Sequence, residues 1–131
     1  MHVDFVVNLF QLKKNPSYAE NEIKILVEES KKYSSRVKVI LETCYLSEDE
    51  KIKLCSWAGK YGADYVKTST GYGLAGATLN DVQLMKKHFN GKIKVSGGIK
   101  SFNDCRPFLD LGIDKIGCSN TRRWYPAIIK L

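Results

Sequence analysis

Two lysines lie on consecutive predicted strands, and their positions in those strands place both side chains on the same face of the sheet. Lys67 lies within Asp64–Thr68, and Lys94 lies within the next predicted strand, Ile93–Ser96. Neighbouring strands are about 4.8 Å apart, so side chains on one face approach closely. A lysine attacks a carbonyl only as the free amine, and a second ammonium group with desolvation lowers its pKa from the reference value of about 10.4. The pair therefore predicts Schiff-base chemistry.

Two further ionisable residues fall on the corresponding face of the preceding predicted strands. Side chains alternate along a strand, which places Asp4 and Lys38 opposite the apolar positions around them. Asp4 is the candidate carboxylate for proton transfer. Two interpretations of these charges remain open. They are ordinary charges on a solvated sheet face, or they line a barrel or crevice, where buried charges are costly unless paired.

Glycine-rich turns follow the last two predicted strands. Gly97-Gly98 and the segment 117–120 (Gly-Cys-Ser-Asn) each precede a predicted helix. Backbone amides and helix N-termini at such turns bind anions without any basic side chain. Turn geometry alone is the alternative explanation. Two such turns in consecutive units favour a phosphate site.

The elements that position these residues alternate between strand and helix. Helix starts are predicted by the capping box at Ser47, by Thr78 and by Ser101, and helix ends by Gly62 and Gly112. Further helices are expected from Pro16 to about Tyr33 and from Thr121 to Leu131. The predicted strands are Val3–Phe10, Val37–Glu42, Asp64–Thr68, Ile93–Ser96 and Lys115–Cys118. The alternation predicts a parallel sheet with right-handed crossovers.

Composition limits the class of protein. The chain has 131 residues and a net charge of +7, which suit one domain and an anionic partner. It has no apolar run of about 20 residues and no basic leader, so we expect neither a membrane helix nor a signal peptide. No basic stripe interleaved with aromatic residues supports nucleic-acid binding.

The four cysteines lack metal-ligand spacing. Cys44, Cys55, Cys105 and Cys118 form no C-x-x-C pair, so the sequence gives no zinc motif. Reduced thiols are typical of intracellular proteins, and we expect a cytoplasmic location.

Several of these segments together resemble the deoxyribose-phosphate aldolase family. The match extends over nearly the whole chain, to about Asn120, and its motifs occur in the family's order. The matching segments are Val66–Gly71 (VKTSTG), Lys94–Ile99 (KVSGGI), Val37–Thr43, Val3–Asn8 and Gly117–Ser119.

The resemblance implies a class I aldolase on a TIM barrel. Such an enzyme cleaves 2-deoxyribose 5-phosphate to glyceraldehyde 3-phosphate and acetaldehyde, without a metal or other cofactor. It implies that Lys67 is the Schiff-base lysine, that Lys94 lowers its pKa and that Asp4 relays protons. Lys38 would support the site. The residues implied around the phosphate of this small sugar are Gly71, Gly97, Gly98, Gly117 and Ser119.

The chain departs from the family in length. A TIM barrel has eight strands and about 250 residues, whereas the five predicted strands correspond to the family's fourth to eighth. The chain is a fragment, a remnant that survives by oligomerising, or a rearranged five-stranded flavodoxin-like sheet. We favour an α/β fold, an incomplete TIM-barrel arc of five βα units, with residues 1–131 as one truncated domain.

Two expectations follow from the missing strands. The edges of an open arc need partners, so we expect a homo-oligomer or a complementing chain. The alternative function is an inactive remnant that binds sugar phosphate or a partner chain. Asn120 stands where the family often has a second serine, and the tail segment Arg122-Arg123-Trp124 is not a recognised family feature.

Overall fold

A computed structural model of the chain describes residues 1–119. Five parallel strands form one sheet and alternate with helices. The strands are β1 His2–Val6, β2 Arg36–Ile40, β3 Tyr65–Lys67, β4 Lys92–Ser96 and β5 Lys115–Gly117. The helices are α1 Leu9–Lys14, α2 Pro16–Lys32, α3 Glu48–Tyr61, α4 Leu79–His88 and α5 Phe102–Asp110, with a 3₁₀ turn at Thr43–Tyr45.

The strand order confirms the predicted arc. Each strand pairs with the next one in the chain, in the order β1-β2-β3-β4-β5. A flavodoxin-like sheet has the order 2-1-3-4-5, so the rearranged sheet is wrong for this chain. Sequential parallel pairing is the arrangement of consecutive units in a TIM barrel.

Local capping signals position the helices as predicted. The Ser47 hydroxyl accepts from the Glu50 amide at 3.3 Å, and the Glu50 carboxylate accepts from the Ser47 amide at 2.8 Å. Ser101 forms the same box with Asp104, and Thr78 caps α4. Gly62 ends α3 in the left-handed region, with φ of 81°. An N-cap side chain such as that of Ser47 or Thr78 contributes about 1 kcal/mol to the stability of the fold.

The sequence-based boundaries need correction at several strand ends. The first strand ends at Val6 and not at Phe10, because the Asn8 side chain accepts from the Gln11 amide at 3.1 Å and begins a helix. The second strand ends at Ile40, since Glu42 adopts a left-handed conformation. The third and fifth strands are also shorter than expected. The predicted helix Thr121–Leu131, Asn120 and the tail segment lie outside the described residues.

The sheet has one apolar face, and the helices cover it. Side chains of the three central strands are fully buried there and pack against the inner faces of α2, α3 and α4. The strand residues of this layer are Val37, Val39, Val66, Ile93 and Val95. Burying a side chain of this size contributes about 1.5–3 kcal/mol. In residues 1–119, no helix combines the length and apolarity needed to cross a membrane.

All four cysteines fall within the described residues, where none of them forms a disulfide. Cys55 and Cys105 are buried, and burial raises the pKa of the Cys55 thiol to about 12. Such a thiol is inert at neutral pH, so Cys55 is a core residue.

Candidate active site

The other face of the sheet carries the ionisable residues. Parallel register places Lys67 beside Lys94 and Asp4 beside Lys38. This charged face comprises Asp4, Lys38, Tyr65, Lys67, Lys92, Lys94 and Lys115. The predicted catalytic residues therefore share one face, as the strand parity indicated.

Lys38 and Asp4 form an ion pair on the charged face. The Lys38 side chain is only 7% exposed, and its Nζ donates to both Asp4 carboxylate oxygens, at 2.7 and 2.9 Å. A charge removed from water in this way needs such a partner. Asp4 itself is exposed, and Lys67 and Lys94 are half-buried, so the polar face is only partly removed from water.

Lys94 lies at the centre of the charged face. Burial lowers its pKa first, and the positive charges of Lys67 and Lys38 lower the pKa further, while Asp4 acts in the opposite direction. A Cβ added to Gly117 would lie 3.1 Å from Lys94 Cε, so the absence of a side chain there makes room for the lysine. Lys94 therefore lies within the electrostatic influence of Lys67, Lys38 and Asp4.

A cavity of about 440 Å³ opens at the carboxyl ends of β3, β4 and β5. It is lined by Lys67, Thr70, Gly71, Tyr72, Ser96, Gly97, Gly98, Ile99, Gly117, Cys118 and Ser119. All five predicted phosphate-binding residues and the predicted Schiff-base lysine thus surround one cavity. Lys94, Asp4 and Lys38 do not line it and lie on the sheet face beside it. TIM-barrel sites form at this end of the strands.

Buried hydroxyl groups fix the floor of the cavity. The Thr68 hydroxyl donates to the Ser96 carbonyl and accepts from the Ser96 amide, each at 3.0 Å. The Ser96 hydroxyl donates to the Ser69 carbonyl at 2.5 Å. These bonds join the ends of β3 and β4 and hold the backbone that carries Lys67.

The two glycines after β4 lie where two loops are in close contact. Gly97 and Gly98 have φ of 87° and 76°, which favour glycine. A Cβ added to Gly76 would lie 2.3 Å from the Gly97 carbonyl, so the two loops touch through their backbones. Gly97 and Gly98 therefore form both the turn after β4 and part of the cavity wall.

Tyr65 also lies on the charged face, and nothing in the sequence singled it out. Its ring lies 4.8 Å from Lys115 Nζ and 5.6 Å from Lys38 Nζ. Burial raises the pKa of the Tyr65 phenol, but Lys115, Lys92 and Arg36 outweigh burial and lower it. The local potential is therefore strongly positive.

The prediction also missed five residues of the cavity wall and one residue behind it. Tyr72 carried no signal in the sequence, whereas the other four lie in the segments that resemble the family: Thr70, Ser96, Ile99 and Cys118. Glu42, in the segment after β2, contacts Thr70 from behind the wall. Within residues 1–119, no three His, Cys, Asp or Glu side chains are grouped to hold a metal ion.

Known proteins resemble this chain in sequence and in structure. No family model matches it. A deoxyribose-phosphate aldolase from Clostridioides difficile is 48% identical over 121 residues, which are 90% of this chain and 54% of that protein. The solved structure of QR15, an aldolase, superposes with a TM-score of 0.86 at 34% identity, over 98% of this chain and 59% of its own.

A third relative is the deoxyribose phosphate aldolase of Aeropyrum pernix, described as a unique tetramer. It has a TM-score of 0.78 at 31% identity and covers 90% of this chain and 50% of its own. This chain thus spans about half the length of the curated relatives that it matches.

Proposed function

The chain is a relative of the C-terminal portion of the deoxyribose-phosphate aldolases, and from this premise we propose that it carries the Schiff-base half of such an aldolase site. The proposed reaction is cleavage of 2-deoxyribose 5-phosphate to glyceraldehyde 3-phosphate and acetaldehyde. The observation that carries the proposal is Lys67 on the cavity wall, beside Lys94 in register on the next strand.

Lys67 and Lys94 have different roles in forming the imine. Repulsion between adjacent ammonium groups favours loss of one proton from the pair. The free amine of Lys67 attacks the sugar aldehyde, water leaves, and an iminium forms. Lys94 supplies the neighbouring charge.

Carbon–carbon cleavage then needs a base and an electron sink. The C3 hydroxyl loses its proton, the C2–C3 bond breaks, and its electron pair moves into the iminium to give an enamine. Protonation of the enamine and hydrolysis of the imine release acetaldehyde and the lysine. Asp4 is the proposed proton relay, and Lys38, hydrogen-bonded to it, holds its carboxylate in place.

The cavity walls suit the phosphate end of the sugar. The segments after β3, β4 and β5 all contribute residues to one cavity, namely Gly71, Gly97, Gly98, Gly117 and Ser119. Amides at such turns bind phosphate oxygens. We therefore assign the glycine-lined part of the cavity to the phosphate, and the part next to Lys67 to the carbonyl.

Borohydride trapping tests the proposal directly. The purified chain is incubated with acetaldehyde and borohydride, and its mass is compared with that of Lys67→Leu and of the exposed-lysine control Lys53→Leu. We expect the wild type and Lys53→Leu to gain a reduced ethyl group, and Lys67→Leu to remain unmodified.

The opposite result supports the second candidate function. The edges of β1 and β5 are unpaired within residues 1–119, which favours a partner-binding role. No adduct at any pH, together with binding of 2-deoxyribose 5-phosphate or of a partner chain, would identify an inactive remnant. A homo-oligomer, as described for the Aeropyrum pernix relative, or a complementing chain is the proposed partner, and we propose a cytoplasmic location.

A further inference from the structure

Glu42 is a buried carboxylate in an unusual backbone conformation. It follows β2, its residue is 5% exposed, and its φ and ψ of 49° and 62° lie in the left-handed region. Residues other than glycine adopt this conformation at a cost and keep it only where their surroundings fix it. The contacts of the Glu42 side chain therefore indicate its role.

The partner of Glu42 is a residue of the cavity wall. The Thr70 amide donates to both carboxylate oxygens at 3.2 Å, and the Thr70 hydroxyl donates to Oε2. The same hydroxyl oxygen accepts from the Tyr72 amide at 3.1 Å. A chain of hydrogen bonds thus runs from Glu42 through Thr70 to Tyr72.

The loop also closes around the carboxylate sterically. A Cβ added to Gly73 would lie 3.0 Å from Glu42 Oε1 and 2.8 Å from Cys44 Sγ. Thr70, Gly71 and Tyr72 line the cavity, while the Tyr72 side chain is 97% exposed. The loop is therefore held by its backbone and by Thr70, and the Tyr72 side chain does not anchor it.

We propose that Glu42 is a positioning residue that holds the Thr70–Tyr72 backbone as the phosphate-side wall of the Lys67 cavity. Hydrogen bonds to an ionised acceptor are stronger than neutral ones, which suits a wall that must keep its shape when an anion binds. Glu42 acts through Thr70 and does not touch the substrate. The inference rests on the proposed function, because the wall is assigned to the phosphate of the sugar.

The test distinguishes binding of the phosphate group from reaction at the carbonyl group. Trapping of 2-deoxyribose 5-phosphate and of 2-deoxyribose is measured across concentration for the wild type, Glu42→Ala, Glu42→Gln, Thr70→Val, Thr70→Ser and the control Glu20→Ala. Glu20 lies on α2 and pairs with Lys60 at an exposed site.

For Glu42→Ala and Thr70→Val, we expect the half-saturating concentration of the phosphorylated sugar to rise by about tenfold. The value for 2-deoxyribose should change by less than about twofold, and so should the saturating rate with either sugar. Thr70→Ser, which keeps the hydroxyl, should restore the affinity, and Glu42→Gln should lie between. Equal effects on both sugars, or no effect on either, would overturn the inference.

Hydrogen exchange tests the role of Glu42 without relying on imine formation. In Glu42→Ala, amide exchange at residues 70–73 should accelerate by at least about tenfold, with α3 unchanged. If the wild type traps neither sugar, the proposed function fails, and unchanged exchange at 70–73 would separately overturn the role of Glu42. If Glu42→Ala does not fold, Thr70→Val against Thr70→Ser provides the same comparison.

Discussion

At the scale of single residues, two amines compete for one role. Burial and then the charge of Lys67 lower the pKa of Lys94, so Lys94 competes with Lys67 for the role of the free amine. Only Lys67 lines the cavity, whereas Lys94 lies against Gly117 beside it. Access, and not basicity, therefore favours Lys67 as the nucleophile.

Peptide mapping distinguishes the two amines. After reduction with acetaldehyde, we expect the added mass in the peptide that contains Val66–Thr70, on Lys67. A carbonyl compound must enter the cavity to react, and Lys67 is the lysine on its wall. An adduct on Lys94, or spread over exposed lysines, would contradict the assignment.

Removal of the neighbouring charge should move the pH dependence of trapping. In Lys94→Leu the pair loses one of its two positive charges, and with it the repulsion that favours a free amine. The pH profile should therefore shift upward, with trapping weak near neutral pH and partly recovered at high pH. The measurement is the trapping rate from pH 6 to pH 10, roughly the range between the reference pKa values of His and Lys.

The control for this prediction is Lys53→Leu, on the exposed side of α3. It should keep the wild-type profile. An unchanged profile in Lys94→Leu would remove Lys94 from its proposed role. Loss at every pH would indicate a damaged fold, which circular dichroism would detect.

At the scale of elements, one buried ion pair joins two helices. Lys51 on α3 and Asp81 on α4 lie 2.6 Å apart, with side chains 12% and 7% exposed. Asp81→Ala leaves the ammonium group buried without its partner and should lower the free energy of unfolding by about 3 kcal/mol. Urea denaturation measures the change.

The matched control is a more exposed pair between neighbouring helices. Lys60 and Glu20 lie 2.8 Å apart, and Glu20→Ala should lower the free energy of unfolding by much less than Asp81→Ala does. Similar losses in the two variants would show that burial does not set the strength of the α3–α4 pair.

How far the sequence predicts these elements depends on the range of the interactions involved. The capping boxes at Ser47 and Ser101 use residues three positions apart, so the sequence contains the whole signal. The β1 boundary was missed because Leu9 and Phe10 continue an apolar segment, while the Asn8 cap decides the structure. The contact of Glu42 with Thr70 spans 28 positions and two strands, and no local pattern specifies it.

At the scale of the whole molecule, the charged face and two strand edges remain uncovered by residues 1–119. Val6 is 46% exposed on the same side of β1 as Asp4, and β1 and β5 each have one unpaired edge. Unpaired backbone groups at such edges form hydrogen bonds with other chains. The arc therefore has the surfaces of an assembly component.

Light scattering of the purified chain tests this interpretation. We expect a dimer, a larger species or aggregation across a concentration series, because the described residues leave the β1 and β5 edges open to a second chain. A monodisperse monomer with a cooperative thermal transition would contradict the expectation. It would show that the described arc is stable with both edges open.

The sequential strand order also bears on how the chain acquires its structure during synthesis. Each strand pairs with the one translated just before it, at a separation of 21 to 34 residues, so no strand has to wait for a more distant segment of the polypeptide. Ribosomes deliver only about 5–20 residues per second, so the partner of each strand emerges within several seconds. We therefore expect that the sheet can assemble strand by strand during translation.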